Sequence, residues 1–203
     1  LRAVYNYALD EEIIQMDKRP FRKSFTGQEK TRKRAVDGGV VKRLAILSLI
    51  DKEMLGFARD LFLFSIYMQG MPFIDMAYLK KEQVRNGCIT YQRRKTNRQL
   101  RVKIHPQAQI IIDRYMVSDP GCPYLFPILY DPEKKTEWEY SSALRVYNKR
   151  LDSLSSLLEL DEPLTSYVAR HTWASLARQC GTSDTVISEA MGHSHVGVTT
   201  IYL

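Results

Sequence analysis

The sequence predicts an α+β fold, mostly α-helical, with one small three-stranded antiparallel sheet. Two observations carry this. Apolar residues recur at helical spacing along most of the chain. One stretch, EQVRNGCITYQRRKTNRQLRVKIH over 82–105, breaks that period. It contains Asn86-Gly87, the strongest short hairpin signal, followed by two runs rich in β-branched and aromatic residues.

The elements follow in order. LRAVYNYALDEEII has apolar residues at 1, 4, 5, 8 and 9, a helical face that begins mid-pattern and so is expected to close something upstream. The next stretch, DKRPFRKSFTGQEKTRKRAV, combines Pro, Gly and dense Lys and Arg, the composition of a linker. A boundary is placed near residue 25, giving segments 1–25 and 26–203. After Asp37-Gly38-Gly39, VVKRLAILSLI is expected to be helical. Asp51 is expected to cap a longer helix that runs to about Gln69 and is closed by Gly70. The meander comes next, with Lys95 at the tip of its second hairpin. Pro106 opens the helix PQAQIIIDRYM. Residues 118–137 carry four prolines and read as loop. Helical pattern returns over about 140–158. Thr165 or Ser166 is expected to cap YVARHTWASLARQ, closed by Gly181. Ser183 is expected to cap DTVISEAM, closed by Gly192.

Composition narrows the function. Thirty Lys and Arg against 23 Asp and Glu give a net charge of +7, which points toward nucleic acid or an anionic surface. The three cysteines form neither a metal-ligand pattern nor a disulfide framework, so a reducing, cytoplasmic compartment fits. The most apolar stretch, MLGFARDLFLFSIYMQGM, holds Arg59 and Asp60 and reads as a buried core helix rather than a membrane span.

Four residues form a constellation. Arg170 lies in SYVARHTW, and His193 follows it by 23 residues in MGHSHVGVTTIY. Tyr202 comes nine residues after His193, and Lys95 sits on the hairpin RRKTNRQLRV. Each has an ordinary explanation if taken singly: Tyr202 as a core aromatic, His193 at a helix end, Arg170 paired with a carboxylate, Lys95 in a solvated basic hairpin. His171 and Trp173 read as structural, and His195 as solvated.

Taken together, these stretches resemble the catalytic domain of the tyrosine recombinase, or phage-type integrase, family over about residues 26–203. That family carries an H-x-x-R box, then G-H or G-W, then a nucleophilic Tyr, with a Lys on a β-hairpin. Upstream, LRAVYNYAL…RPF is similar to the last helix and linker of the family's core-binding domain. The resemblance implies site-specific recombination of double-stranded DNA for a mobile element, by a full-length protein acting as a tetramer on DNA. It assigns Tyr202 as nucleophile, Arg170 and His193 as phosphate ligands, and Lys95 as general acid. Tyr167 takes the His position of H-x-x-R.

The chemistry agrees with that assignment. An Arg makes charge-assisted hydrogen bonds to the non-bridging oxygens of a phosphodiester. Charge grows on those oxygens as phosphorus becomes five-coordinate, and preorganised donors stabilise it. A phenol that attacks phosphorus keeps the phosphoester in a covalent phosphotyrosyl link, so neither a nucleotide nor a metal cofactor is needed.

Two positions depart from the family pattern. Pro72 occupies the place of the first catalytic Arg and donates no hydrogen bond. Tyr167 can donate to a phosphate but is a poor base near neutral pH. Arg59, Lys80 and Lys81 are the candidate stand-ins. Family members usually continue past the Tyr with a segment that docks on a neighbour, whereas this sequence stops at Leu203. The rival readings are a catalytically impaired DNA-binding relative, a type IB topoisomerase-like enzyme, and a helical interaction module.

Lys30, Arg32, Lys33 and Arg34 of the linker and Arg93, Arg94, Arg98 and Arg101 of the hairpin are the expected DNA contacts. With roughly 6–10 phosphates neutralised, affinity for duplex DNA should fall about 10³–10⁵-fold between roughly 50 and 200 mM salt. Filter binding across that range checks this, and a flat response would exclude a nucleic-acid partner.

Overall fold

The computed structural model describes residues 2–15, 18–21, 34–131, 133–193 and 199. The chain divides into two units, Leu1–Thr31 and Arg32–Leu203. In the first, helix α1 (Arg2–Asp10) carries Tyr5, whose hydroxyl accepts from the Lys18 backbone N–H at 3.0 Å. The Tyr5 ring meets Phe21 edge-on.

The second unit opens with α2 (Gly38–Ile46). Asp37 caps it, its carboxylate accepting from the N–H groups of Gly39 and Val40. The helix ends at Ile46, short of the apolar run expected to extend it. Helix α3 (Glu53–Tyr67) is the centre of the unit. Its buried residues run all round the helix, as they must where every face meets protein. It packs against α2, α5 (Pro106–Tyr115), α6 (Tyr140–Leu157) and α7 (Val168–Gln179). Phe64 stacks edge-on against Phe126 within this core. Lys52, not Asp51, holds the N-cap position of α3 and makes no side-chain cap bond there. The helix ends as expected near Gly70: Gln69 and Gly70 both take positive φ, and Gly70 N–H turns back to Ser65 O.

A one-turn helix, α4 (Phe73–Ala77), follows Pro72 and was not foreseen. It packs on α6, with Phe73 stacked on Tyr147 at 4.3 Å. The meander forms as expected from β1 (Val84–Arg85), β2 (Cys88–Gln92) and β3 (Gln99–Lys103), all antiparallel. Register pairs Val84 with Ile89, Ile89 with Val102 and Tyr91 with Leu100. Ile89, Tyr91 and Val102 thus face the core. The proline-rich stretch holds a small hairpin, β4 (Tyr130–Asp131) and β5 (Thr136–Glu137), where only loop was expected.

Helix α7 begins one residue later than expected. Tyr167 takes its N-cap place, and no side chain caps it. Helix α8 (Asp184–Ala190) is capped by Ser183, which accepts from Val186 N–H. Ala174, Ile187 and Met191 join the two helices in a small apolar cluster of their own. Among the described residues, no helix is long and apolar enough to cross a membrane.

One carboxylate ties α3 to α5. Buried Asp60 accepts from Arg59 Nε at 2.7 Å, Arg114 Nη1 at 2.7 Å and Tyr115 OH at 2.8 Å. Asp60→Ala should therefore cost about 3–5 kcal/mol, because it leaves the mostly buried Arg59 guanidinium without its carboxylate. Asp113→Ala, which loses only an exposed bond to Gln109, should cost under about 1 kcal/mol. Urea unfolding of the two variants checks this; equal midpoints would show that Asp60 is not the tie.

Candidate active site

The site forms where the β2–β3 hairpin meets the chain that leaves α8. Packing sets this up first. Met191 is fully buried in the α7–α8 cluster, a burial worth about 1.5–3 kcal/mol, so its backbone is held in place. Gly192 then takes φ +66° and ends the helix, with His193 N–H bonding back to Ser188 O. The carbonyls of Met191, Gly192 and His193 are thereby turned toward the hairpin. Arg93 Nη1 donates to Met191 O at 2.6 Å, Thr96 Oγ1 to Gly192 O at 3.3 Å, and Arg98 Nη1 to His193 O at 2.8 Å.

Arg170 enters from α7 and is 2% exposed. Its Nη1 donates to Gly70 O at 2.7 Å and its Nη2 to Met191 O at 2.6 Å. Gly70 lies against it: a Cβ there would come within 3.2 Å of Arg170 Cα and Cγ. Nη2 also lies 3.0 Å from His193 Nε2. A guanidinium has no acceptor to offer, so Nε2 accepts and the imidazole proton sits on Nδ1. Nδ1 then donates to Thr199 Oγ1 at 2.8 Å. The structure thus brings Arg170 and His193, 23 residues apart in sequence, into direct contact.

Lys95 is exposed at the hairpin tip, as expected. Tyr167 is 43% exposed at the start of α7, its ring edge-on to His171. Arg34, Arg94, Arg98 and Arg101 are exposed, and Arg94 lies over the Tyr78 ring at 3.8 Å. Lys30, Arg32, Lys33 and Tyr202 lie outside the described residues. The proposed stand-ins for the arginine missing at Pro72 are engaged elsewhere. Arg59 is bound to Asp60 and Leu47 O, Lys80 pairs with Glu82, and Lys81 donates to Asp119 O.

Arg93 differs most from expectation. The sequence places it among the hairpin's DNA-contacting cations, yet it is 5% exposed. Alternation explains this: Ile89 and Tyr91 face inward on β2, and residue 93 continues that face beyond the strand. That signal was present in the sequence, hidden among five other basic residues. Asp75 and Thr199 carried no comparable signal, since their partners are remote in sequence.

Charge is concentrated here. Arg93 and Arg170 share the Met191 carbonyl, so their guanidiniums repel by about 3 kcal/mol at an effective dielectric near 20. Asp75 partly offsets this, taking Arg93 Nε at 3.4 Å and the Arg94 backbone N–H at 3.0 Å. His193 is pushed down to about 4, by burial first and then by the charges of Arg170, Arg93 and Lys95. It is therefore neutral at physiological pH.

A model of the phage integrase family matches residues 42–203, and the chain belongs to that family. Among solved structures, the fold is similar to XerA recombinase at TM-score 0.64 and 17% identity, covering 91% of this chain and 63% of that one. It is similar to a Tn1549 transposon integrase in complex with transposon right end DNA, at TM-score 0.75 and 11% identity, covering 98% and 71%. A lambda integrase dimer bound to a COC′ core site matches at TM-score 0.67 and 12% identity, covering 98% and 68%. The chain therefore spans less than two thirds of the XerA recombinase structure. No curated protein matches it.

The His193 shift has a stability consequence. A histidine whose folded pKa is depressed binds a proton in the unfolded chain first. Its contribution is complete above about pH 6.5 and is lost as pH falls toward about 4. Between pH 7.5 and 5 the loss should be about 2 kcal/mol. His193→Gln should remove that part of the pH dependence. Urea unfolding at both pH values checks it, and parallel losses in the two proteins would place the imidazole's titration elsewhere.

Proposed function

We propose that this chain is the catalytic part of a site-specific recombinase of a mobile element, an integrase or invertase. It acts on double-stranded DNA in the cytoplasm, and the full-length protein works as a tetramer on that DNA. The contact between Arg170 and the neutral His193, inside a buried cationic cluster, is the observation that carries the reading. A phosphodiester is an anion that such a cluster favours; Arg170 is held on α7, and the neutral His193 is fixed by its bonds to Arg170 and Thr199.

In this reading water takes the Tyr202 phenol proton as the phenol oxygen attacks phosphorus, the bond to the 5′ oxygen breaks, and a 3′-phosphotyrosyl link forms. Lys95, on the exposed hairpin tip, gives its proton to the leaving 5′ oxygen. Rejoining reverses these steps with a 5′ hydroxyl from another strand as the nucleophile. Tyr167, at the start of α7, donates to the phosphate but does not take the Tyr202 proton. The exposed Arg34, Arg94, Arg98 and Arg101, with Arg32 and Lys33 of the linker, hold the DNA backbone.

With nicked duplexes carrying the element's junction sequence, a protein–DNA adduct should survive denaturation, and Tyr202→Phe should abolish it. An adduct that persists in Tyr202→Phe would remove the nucleophile assignment. A wild-type protein that binds without any adduct would favour the impaired DNA-binding relative. Recombination between two sites, rather than relaxation of a supercoiled plasmid, separates the recombinase from a type IB topoisomerase-like enzyme.

A further inference from the structure

Arg93 is the buried cation that the reaction as described leaves unused. Its position is built with some care. The inward register of β2 brings it under the surface. Asp75 takes Nε, and Met191 O takes Nη1. Gly192 makes room for its stem, since a Cβ there would lie 2.8 Å from Arg93 Cδ, and the backbone at φ +66° disfavours any side chain. These two bonds use two of the five guanidinium N–H groups. Among the described residues, Nη2 donates to no acceptor.

The neighbour is Arg170. Both guanidiniums donate to the single carbonyl of Met191, so the two donor nitrogens lie no farther apart than those two bonds laid end to end. The field of both reaches His193. Holding two like charges this close, with one carboxylate on Arg93 alone, favours an anion that bridges both. A tetrahedral phosphoryl group has two non-bridging oxygens and can meet one guanidinium with each. Arg59 is held elsewhere and Arg98 is exposed and donates to His193 O, so Arg93 is the guanidinium that shares an acceptor with Arg170.

We infer that Arg93 is a catalytic residue: it binds a non-bridging oxygen of the scissile phosphate beside Arg170, and Asp75 and Gly192 hold it in that position. This rests on the strand-cleavage reading and extends it by one residue that touches the substrate. It separates Arg93 from the exposed hairpin arginines, which hold DNA backbone without touching the reacting phosphorus.

The test uses the full chain and a pool of nicked duplexes, each with one labelled linkage flanked by randomised sequence. The linkage is made either as an ordinary phosphate or as a methylphosphonate, which lacks the negative charge. Covalent adduct is measured after denaturation. Arg93→Ala should slow adduct formation on phosphate by about 10²–10³-fold, the usual loss for one transition-state donor. On methylphosphonate, where little charge needs offsetting, the same variant should lose no more than roughly tenfold. Equal losses on both linkages would show that Arg93 only supports the fold, and no loss on phosphate would remove it from the reaction; either result overturns the inference. Thermal unfolding reports whether Arg93→Ala is folded. If it is not, Arg93→Lys, which keeps the stem and the charge but not the fork, is judged by the same ratio between linkages. A wild-type adduct abolished by Tyr202→Phe keeps the underlying reading intact whatever Arg93 does. If wild type forms no such adduct, both fall together.

Discussion

Three consecutive carbonyls, those of Met191, Gly192 and His193, hold the candidate site together. Each accepts from a different side chain of the β2–β3 hairpin, and the first also accepts from Arg170. Without them the hairpin and α7 would have no common point of reference, and Lys95 would have no fixed relation to His193. The carbonyls are available because Gly192 breaks α8 at the point where Met191 is locked into its apolar cluster. A packing event between two short helices thus sets the electrostatics of a site made largely by other elements.

The electrostatics follow from burial. Exposed arginines on this surface would be screened, and their pairwise energies would be small. Arg93 and Arg170 are almost fully buried, so their fields act on His193 at close range. The imidazole answers by remaining neutral, which fixes its tautomer through the bonds to Arg170 and Thr199. Asp60 concentrates donors in a similar way, but there one of the two guanidiniums, that of Arg114, is half exposed, and the bonds serve the joint between α3 and α5. Of the two clusters, the one at Met191 keeps both of its guanidiniums buried.

Much of the fold was legible in the sequence because it obeys local rules. The helical periods gave α3, α5, α6, α7 and α8, and Asn86-Gly87 gave the meander. Helix α4 and the β4–β5 hairpin were missed because five and two residues are too few to display a period. The caps at Asp51 and Thr165 or Ser166 failed because packing, not side-chain capping, sets where α3 and α7 begin. In the site, Arg170, His193 and Lys95 could be singled out by motif and spacing. Arg93 could have been found by extending the alternation Ile89, Tyr91 one step. Asp75 and Thr199 could not, since nothing in a linear sequence says which distant polar groups will meet.

The latch between hairpin and α8 is also lopsided in how it tolerates change. On one side the donors are side chains, so a single substitution at Arg93, Thr96 or Arg98 deletes a bond outright. On the other side the acceptors are main chain, and every amino acid carries a carbonyl. Residues 191 and 193 could therefore drift in identity without losing an acceptor, provided the turn kept its shape. Only Gly192, with its left-handed backbone pressed against Arg93, has no such latitude. Variation in how tightly this site is assembled is thus channelled into the hairpin, while the α8 half stays constant as long as Gly192 and the packing of residue 191 are kept.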